Sequence, residues 1–131
     1  MPAFAESAAC RAPALAVWKL LYDPTRFPDW WDGTGRVERG PDGEVTRFAE
    51  AWPDFPYPTQ VRSEGTPGGR VVISCLVSGI SQRWTLEPHP GGCAVTVTVE
   101  LPDEEAGRMP AQRAEVRASL DRLVALAERE A

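Results

Sequence analysis

The chain has 131 residues, of which 43% are apolar and 25% charged, and its net charge is −5. This is the length of one ordinary domain, taken as residues 1–131, and it suffices for a core without disulfides or a structural metal. The acidic balance, with no basic block, argues against nucleic acid as a partner, and no run reaches the roughly 18 apolar residues of a membrane span, so no membrane insertion is expected.

The first residues, PAFAESAAC, carry one large side chain, Phe4, and read as a first strand. Pro13 then opens an apolar run to Tyr22; proline suits the first turn of a helix, and the residues after it are good helix formers. This helix is expected to be buried on most sides. Asp23-Pro24 ends it, because the residue before a proline avoids the helical region. Thr25–Trp31 makes one more short helical turn carrying Phe27, Trp30 and Trp31.

From Gly35 the pattern changes to short β-rich runs separated by turn signals. The runs are Arg36–Arg39, Glu44–Trp52, Thr59–Glu64, Arg70–Val77, Ile80–Glu87 and Cys93–Leu101. Short connections between successive strands imply an antiparallel meander. Val95, Val97, Val99 and Leu101 share one face of the last strand against Thr96, Thr98 and Glu100; Ile80, Gln82, Trp84 and Leu86 do the same in the strand before it. One apolar and one polar face mean that the sheet is covered on one side. Pro110–Arg129 supplies the cover: Val116, Leu120, Leu123, Val124 and Ala127 follow the spacing of one helical face, with Glu115, Arg122 and Arg129 opposite.

Little in the sequence points to catalysis. The one histidine, His89, sits in a Pro-His-Pro-Gly-Gly turn and reads as an exposed loop residue. That leaves no base for a Ser-His-Asp triad and too few ligands for a typical zinc site, so neither metal nor cofactor is expected. Cys10, Cys75 and Cys93 are far apart and form no CxxC; they read as structural thiols. An N-terminus without a cationic region ahead of an apolar stretch reads as no signal peptide, and with unpaired cysteines a reducing cytoplasm fits best.

Polar groups on inward positions are the better clue. Gln82 falls on the apolar face of its strand, one of Ser74 and Cys75 must point inward, Ser63 is a further candidate, and Tyr22 ends the first helix. Buried polar groups bind each other, water or a ligand. Five tryptophans are many for this length: Trp18 and Trp84 read as core anchors, while Trp30, Trp31 and Trp52 lie near turns and suit an aromatic rim. As alternating residues of one strand, at most one of Arg47 and Glu50 faces inward, and the surface is the default for both. Trp52–Pro58, with Tyr57, is either a proline-stiffened lid or an ordinary connection.

Several strings together resemble the START-like, Bet v 1-like (SRPBCC) superfamily. They are PALAVWKLL with Tyr22-Asp23-Pro24, Phe27-Pro28-Asp29-Trp30-Trp31, Trp84-Thr85-Leu86-Glu87-Pro88 with Gly91-Gly92, and Ser119-Leu120-Asp121-Arg122-Leu123. Within it the chain is most similar to small bacterial proteins of the polyketide cyclase/dehydrase or coenzyme-Q-binding type. The resemblance implies an α+β helix-grip fold: a curved seven-stranded antiparallel sheet around a long C-terminal helix, with two short helices after the first strand.

It also implies a cavity between sheet and helix that takes a small hydrophobic or aromatic molecule. The residues expected around that ligand are Tyr22, Trp30, Trp52, Tyr57 and Ser74, together with Gln82, Trp84, Val97, Val116 and Leu120. Other activities of such folds stay open: a cyclase, aromatase or dehydratase using the same cavity, or a ligand-free interaction domain of the chaperone-activating type. A monomer or weak homodimer is expected.

Overall fold

The computed structural model describes residues 1–131. Strand β1 (Ala3–Cys10) leads into helix α1 (Ala14–Tyr22), a short 3-10 turn (Pro24–Arg26) and helix α2 (Phe27–Trp30). Six strands follow: β2 (Thr34–Arg39), β3 (Val45–Ala49), β4 (Trp52–Glu64), β5 (Arg70–Cys75), β6 (Ser81–His89) and β7 (Gly92–Glu100). A 3-10 segment (Asp103–Arg108) runs directly into α3 (Met109–Glu130). No helix is long and apolar enough to cross a membrane.

The sheet is antiparallel throughout, in the order β1-β7-β6-β5-β4-β3-β2. Each strand from β2 to β7 pairs with its successor, and β1 joins the far edge beside β7, with Phe4 opposite Val99 and Cys10 opposite Cys93. Where the chain turns from β6 into β7 and passes β1, only glycine fits at position 92: a Cβ there would collide with the Cys10 carbonyl.

Alternation assigns the inner face as expected. Cys93, Val95, Val97 and Val99 of β7 and Gln82, Trp84 and Leu86 of β6 are all buried. From α3, Val116, Leu120, Leu123 and Ala127 are buried in the same cluster. Each such aliphatic side chain contributes about 1.5–3 kcal/mol relative to leaving it in water. The bowl and its terminal rod are therefore held mainly by one continuous apolar seam.

Three local expectations change. α1 buries one face only: Val17, Leu20 and Leu21 are sealed, while Leu15 is exposed and Tyr22 is 43% exposed. The proline-rich segment is neither lid nor free connection but the first half of the 13-residue β4. Pro53 and Pro56 are accommodated because the register shifts there: Ala49 pairs with Trp52 and Arg47 with Tyr57, so both fall outside the β3–β4 ladder, while Pro58 stays in it opposite Thr46. β5 ends at Cys75 rather than at Val77, and Leu76 and Val77 stand exposed in the turn to β6.

Aromatic packing fixes the corner before β2. Phe27, Trp30, Trp31 and Trp84 meet ring to ring at 5.3–5.9 Å between centroids. The Trp30 indole also donates to the Leu20 carbonyl at 3.0 Å. In a continuous helix that carbonyl would receive the N–H of residue 24, but residue 24 is proline and has none. The indole replaces the missing donor and ties α2 to the end of α1.

Candidate functional site

α3 does not seat along its whole length. From Val116 onward its inner side chains are sealed, and the helix packs on β1, α1 and α2. Over its first two turns polar residues face inward instead. Gln112 and Glu115, with Arg108 from the 3-10 segment just before the helix, line a cavity of about 580 Å³, together with Arg47, Ala49, Thr59, Ile73, Cys75 and Gln82 from the sheet. Trp31 and Gly33 form one wall, and Glu50, Ala51, Trp52 and Tyr57 reach in from the β3–β4 hairpin. Trp52, 65% exposed, stands at the mouth with Leu76 and Val77 exposed nearby in sequence to the lining residues Cys75 and Ser78.

A charged couple occupies one side of the cavity. Arg47 donates through Nε to Thr34 Oγ1 at 2.6 Å, and its guanidinium lies 4.1 Å from the centroid of the Trp31 ring. Glu115 Oε2 accepts from Trp31 Nε1 at 3.3 Å. The two charges stand 3.9 Å apart, close enough to attract but too far to hydrogen-bond. Burial dominates both: it pushes the Glu115 carboxyl above the usual carboxylate range, with Arg47 and the Trp31 N–H pulling it back. It likewise lowers the Arg47 guanidinium below its ordinary value, with Glu115 opposing. The mutual attraction of a loose pair does not offset the desolvation of its members.

The backbone around the couple is tied down. Ser119 Oγ accepts from Asp32 N at 2.9 Å and donates to the Glu115 carbonyl at 2.7 Å, which fastens the corner after α2 to α3. Glu50 N donates to the Gly33 carbonyl at 2.8 Å. Gly33 has φ +82°, and a Cβ there would sit 3.4 Å from Glu115 Oε1 and 4.0 Å from Arg47 Nη2. The missing side chain leaves room beside both charged groups.

Of the residues expected around a ligand, Trp52, Tyr57 and Gln82 line this cavity. Trp30, Trp84, Val97, Val116 and Leu120 are packed in the core and have no exposed surface worth the name. Ser74 lies on the other face of the sheet: Val71, Ile73 and Cys75 alternate inward, so Ser74 points out between Gln60 and Ser81. Tyr22 lines a separate surface groove, where it stacks on Trp18 at 4.9 Å. Ser63 falls outside the cavity lining as well.

The Arg47 and Glu50 expectation is corrected in the same way: both line the cavity. β3 ends at Ala49, so Glu50 belongs to the turn and is not bound by strand alternation. Glu115, expected on the face of α3 opposite the apolar stripe, instead borders that stripe and lines the cavity. A readable signal exists, since positions 108, 112, 115 and 119 follow helical spacing directly beside that stripe.

A curved antiparallel sheet gripping a C-terminal helix, with a cavity where the grip stands open, defines a START-like helix-grip fold. The chain belongs to the family described as polyketide cyclase/dehydrase and lipid transport, which matches residues 1–128. Solved structures agree on the fold. A protein from Chromobacterium violaceum is 20% identical over 96% of each chain, with a TM-score of 0.73. A START superfamily protein from Mycobacterium smegmatis is 14% identical over 95% of this chain and 98% of that one, with a TM-score of 0.69. The di-domain ARO/CYC protein BexL of the BE-7585A biosynthetic pathway is 19% identical over 95% of this chain and 45% of its own, with a TM-score of 0.75. Among curated proteins no sequence match is found.

Proposed function

We propose that the chain binds, and so sequesters or carries, a small hydrophobic or aromatic molecule in the cavity between the sheet and the first turns of α3. The observation that carries this is the gap itself. About 580 Å³ stays unfilled where polar rather than apolar residues of α3 face the sheet, and that volume lies within the roughly 300–1,000 Å³ range of small-molecule sites. Ile73, Ile80, Trp31, Trp52 and Tyr57 offer apolar and aromatic surface, and a few polar groups converge to orient a guest.

Native mass spectrometry of freshly purified protein tests this, followed by titration with the neutral dye Nile red. A retained mass, or dye fluorescence that lipophilic compounds displace, is expected. A bare mass together with no dye binding and no thermal shift from a lipophilic panel overturns it.

A second reading, chemistry of the cyclase type, rests on one observation: Arg47 and Glu115 face the same cavity without being locked in a hydrogen bond. A carboxyl held above its usual range suits proton transfer near neutral pH. Under that reading Glu115→Gln retains the bound molecule but stops its conversion, whereas under the carrier reading no conversion exists to lose.

A further inference from the structure

Gln82 is the polar group the charged couple does not explain. It lies on the inner face of β6, opposite Ile73 on one side and Val99 on the other, and is 4% exposed. Its carboxamide oxygen accepts from Trp84 Nε1 at 3.0 Å. An indole nitrogen can only donate, so this bond decides which end of the carboxamide is which. The oxygen faces Trp84, and the NH₂ group is turned the other way.

Trp84 cannot adapt to another arrangement. It is fully buried and meets Trp30 edge-on at 5.4 Å. Gln82 Nε2 makes no hydrogen bond within the protein, although the residue borders the cavity. Nor is it a sealed orphan, because the one side-chain polar atom shut away without a partner is Trp18 Nε1. The free donor therefore opens into the cavity.

The charges around it bear on what it meets. Arg47 and Arg108 line the cavity, and so do Glu50 and Glu115. With two cations against two carboxylates in the lining, a carboxylate guest meets repulsion as well as attraction and still gives up its hydration, a cost that a neutral guest avoids. A hydrocarbon, by contrast, would leave the Gln82 donor unpaired in a dry site.

From this we infer that Gln82 is a fixed hydrogen-bond donor facing the cavity, and that the site selects a neutral molecule bearing an acceptor oxygen over a hydrocarbon or carboxylate of like size. The inference rests on the cavity being a ligand site, as proposed above, and adds which ligands it takes. Gln82 acts here as a specificity-determining residue.

Three probes separate the cases by calorimetric titration of the full chain at neutral pH: 1-tetralone, the same ring without oxygen (tetralin), and 1-naphthoate. In the native protein 1-tetralone binds more tightly than 1-naphthoate. In Gln82→Leu the tetralone-to-tetralin affinity ratio falls about tenfold, the worth of one hydrogen bond in a dry site. Should that variant not fold, Gln82→Met carries the same comparison with the side-chain length kept.

A ratio unchanged by the substitution means water or nothing meets the donor, and it overturns the inference while leaving the ligand site standing. Tightest binding by 1-naphthoate overturns the neutrality argument in the same way. No binding by any of the three overturns the inference, while the ligand reading itself stands or falls by the mass-spectrometric and dye tests above.

Discussion

Replacing Trp30 by phenylalanine tests whether the tryptophan that ties α2 to the end of α1 serves the core or the ligand. The ring has no exposed surface. Its Nε1 supplies the donor that Pro24 cannot give to the Leu20 carbonyl. In the variant that carbonyl is buried without a partner, at about 1–3 kcal/mol. The smaller ring also leaves a void of roughly 40 Å³, which at about 24 cal/mol per Å³ adds about 1 kcal/mol.

A total near 3 kcal/mol follows. With a urea slope of about 1–3 kcal/mol per M, the unfolding midpoint falls by about 1.5 M. The assay is urea denaturation followed by far-UV circular dichroism, with the slope unchanged. Binding of Nile red at native conditions should stay as in the parent. Trp52→Ala is the control, because Trp52 is mostly exposed at the cavity mouth: its stability changes by less than about 0.5 kcal/mol, while dye binding weakens. A Trp30→Phe loss under about 1 kcal/mol, or equal damage to binding by both variants, refutes the reasoning.

Two further outcomes follow from the charged couple and its corner. Glu115 has its folded-state pKa raised above the ordinary value of 4.5 by burial. The stability associated with its protonated form is full below that ordinary value and is lost as pH rises through the folded one. Glu115→Gln, which mimics the neutral form, should therefore match the parent near pH 4 and gain on it as pH rises to 7.5, as read by urea midpoints across pH. A gap that is flat or widens the other way refutes the burial argument. Gly33→Ala forces a side chain onto φ +82° at about 1–2 kcal/mol, which lowers the melting temperature by about 4 °C in scanning calorimetry; an unchanged melting temperature refutes it.

Much of the architecture was legible because it is written in local periodicity. The two-residue alternation of Cys93–Leu101 and Ile80–Glu87 assigned the inner face, and the spacing of Val116, Leu120, Leu123 and Ala127 identified the helix that covers it. Turn residues marked most of the strand ends. The proline-rich stretch misled because a strand that slips register can carry prolines off its ladder, and a slip of register depends on the partner strand.

The site was legible only in part. Gln82 announced itself as a polar group on an apolar face, and Trp52 and Tyr57 by their place near a turn. Trp30, Trp84, Val97, Val116 and Leu120 have the composition of a pocket wall yet pack into the core, since whether an apolar group lines a space or fills one depends on what stands opposite. Arg47 and Glu115 belong to segments 68 positions apart in the chain.

Sequence alone thus determined the kind of bowl and the rod that closes it, because side-chain periodicity and burial are properties of each element by itself. The tertiary structure decided where the rod lifts from the bowl, that a cation and a carboxylate meet in the opening, and which end of Gln82 faces it. Those depend on distances between groups remote in the chain and on which hydrogen-bond partners packing leaves within reach, and no local pattern encodes either.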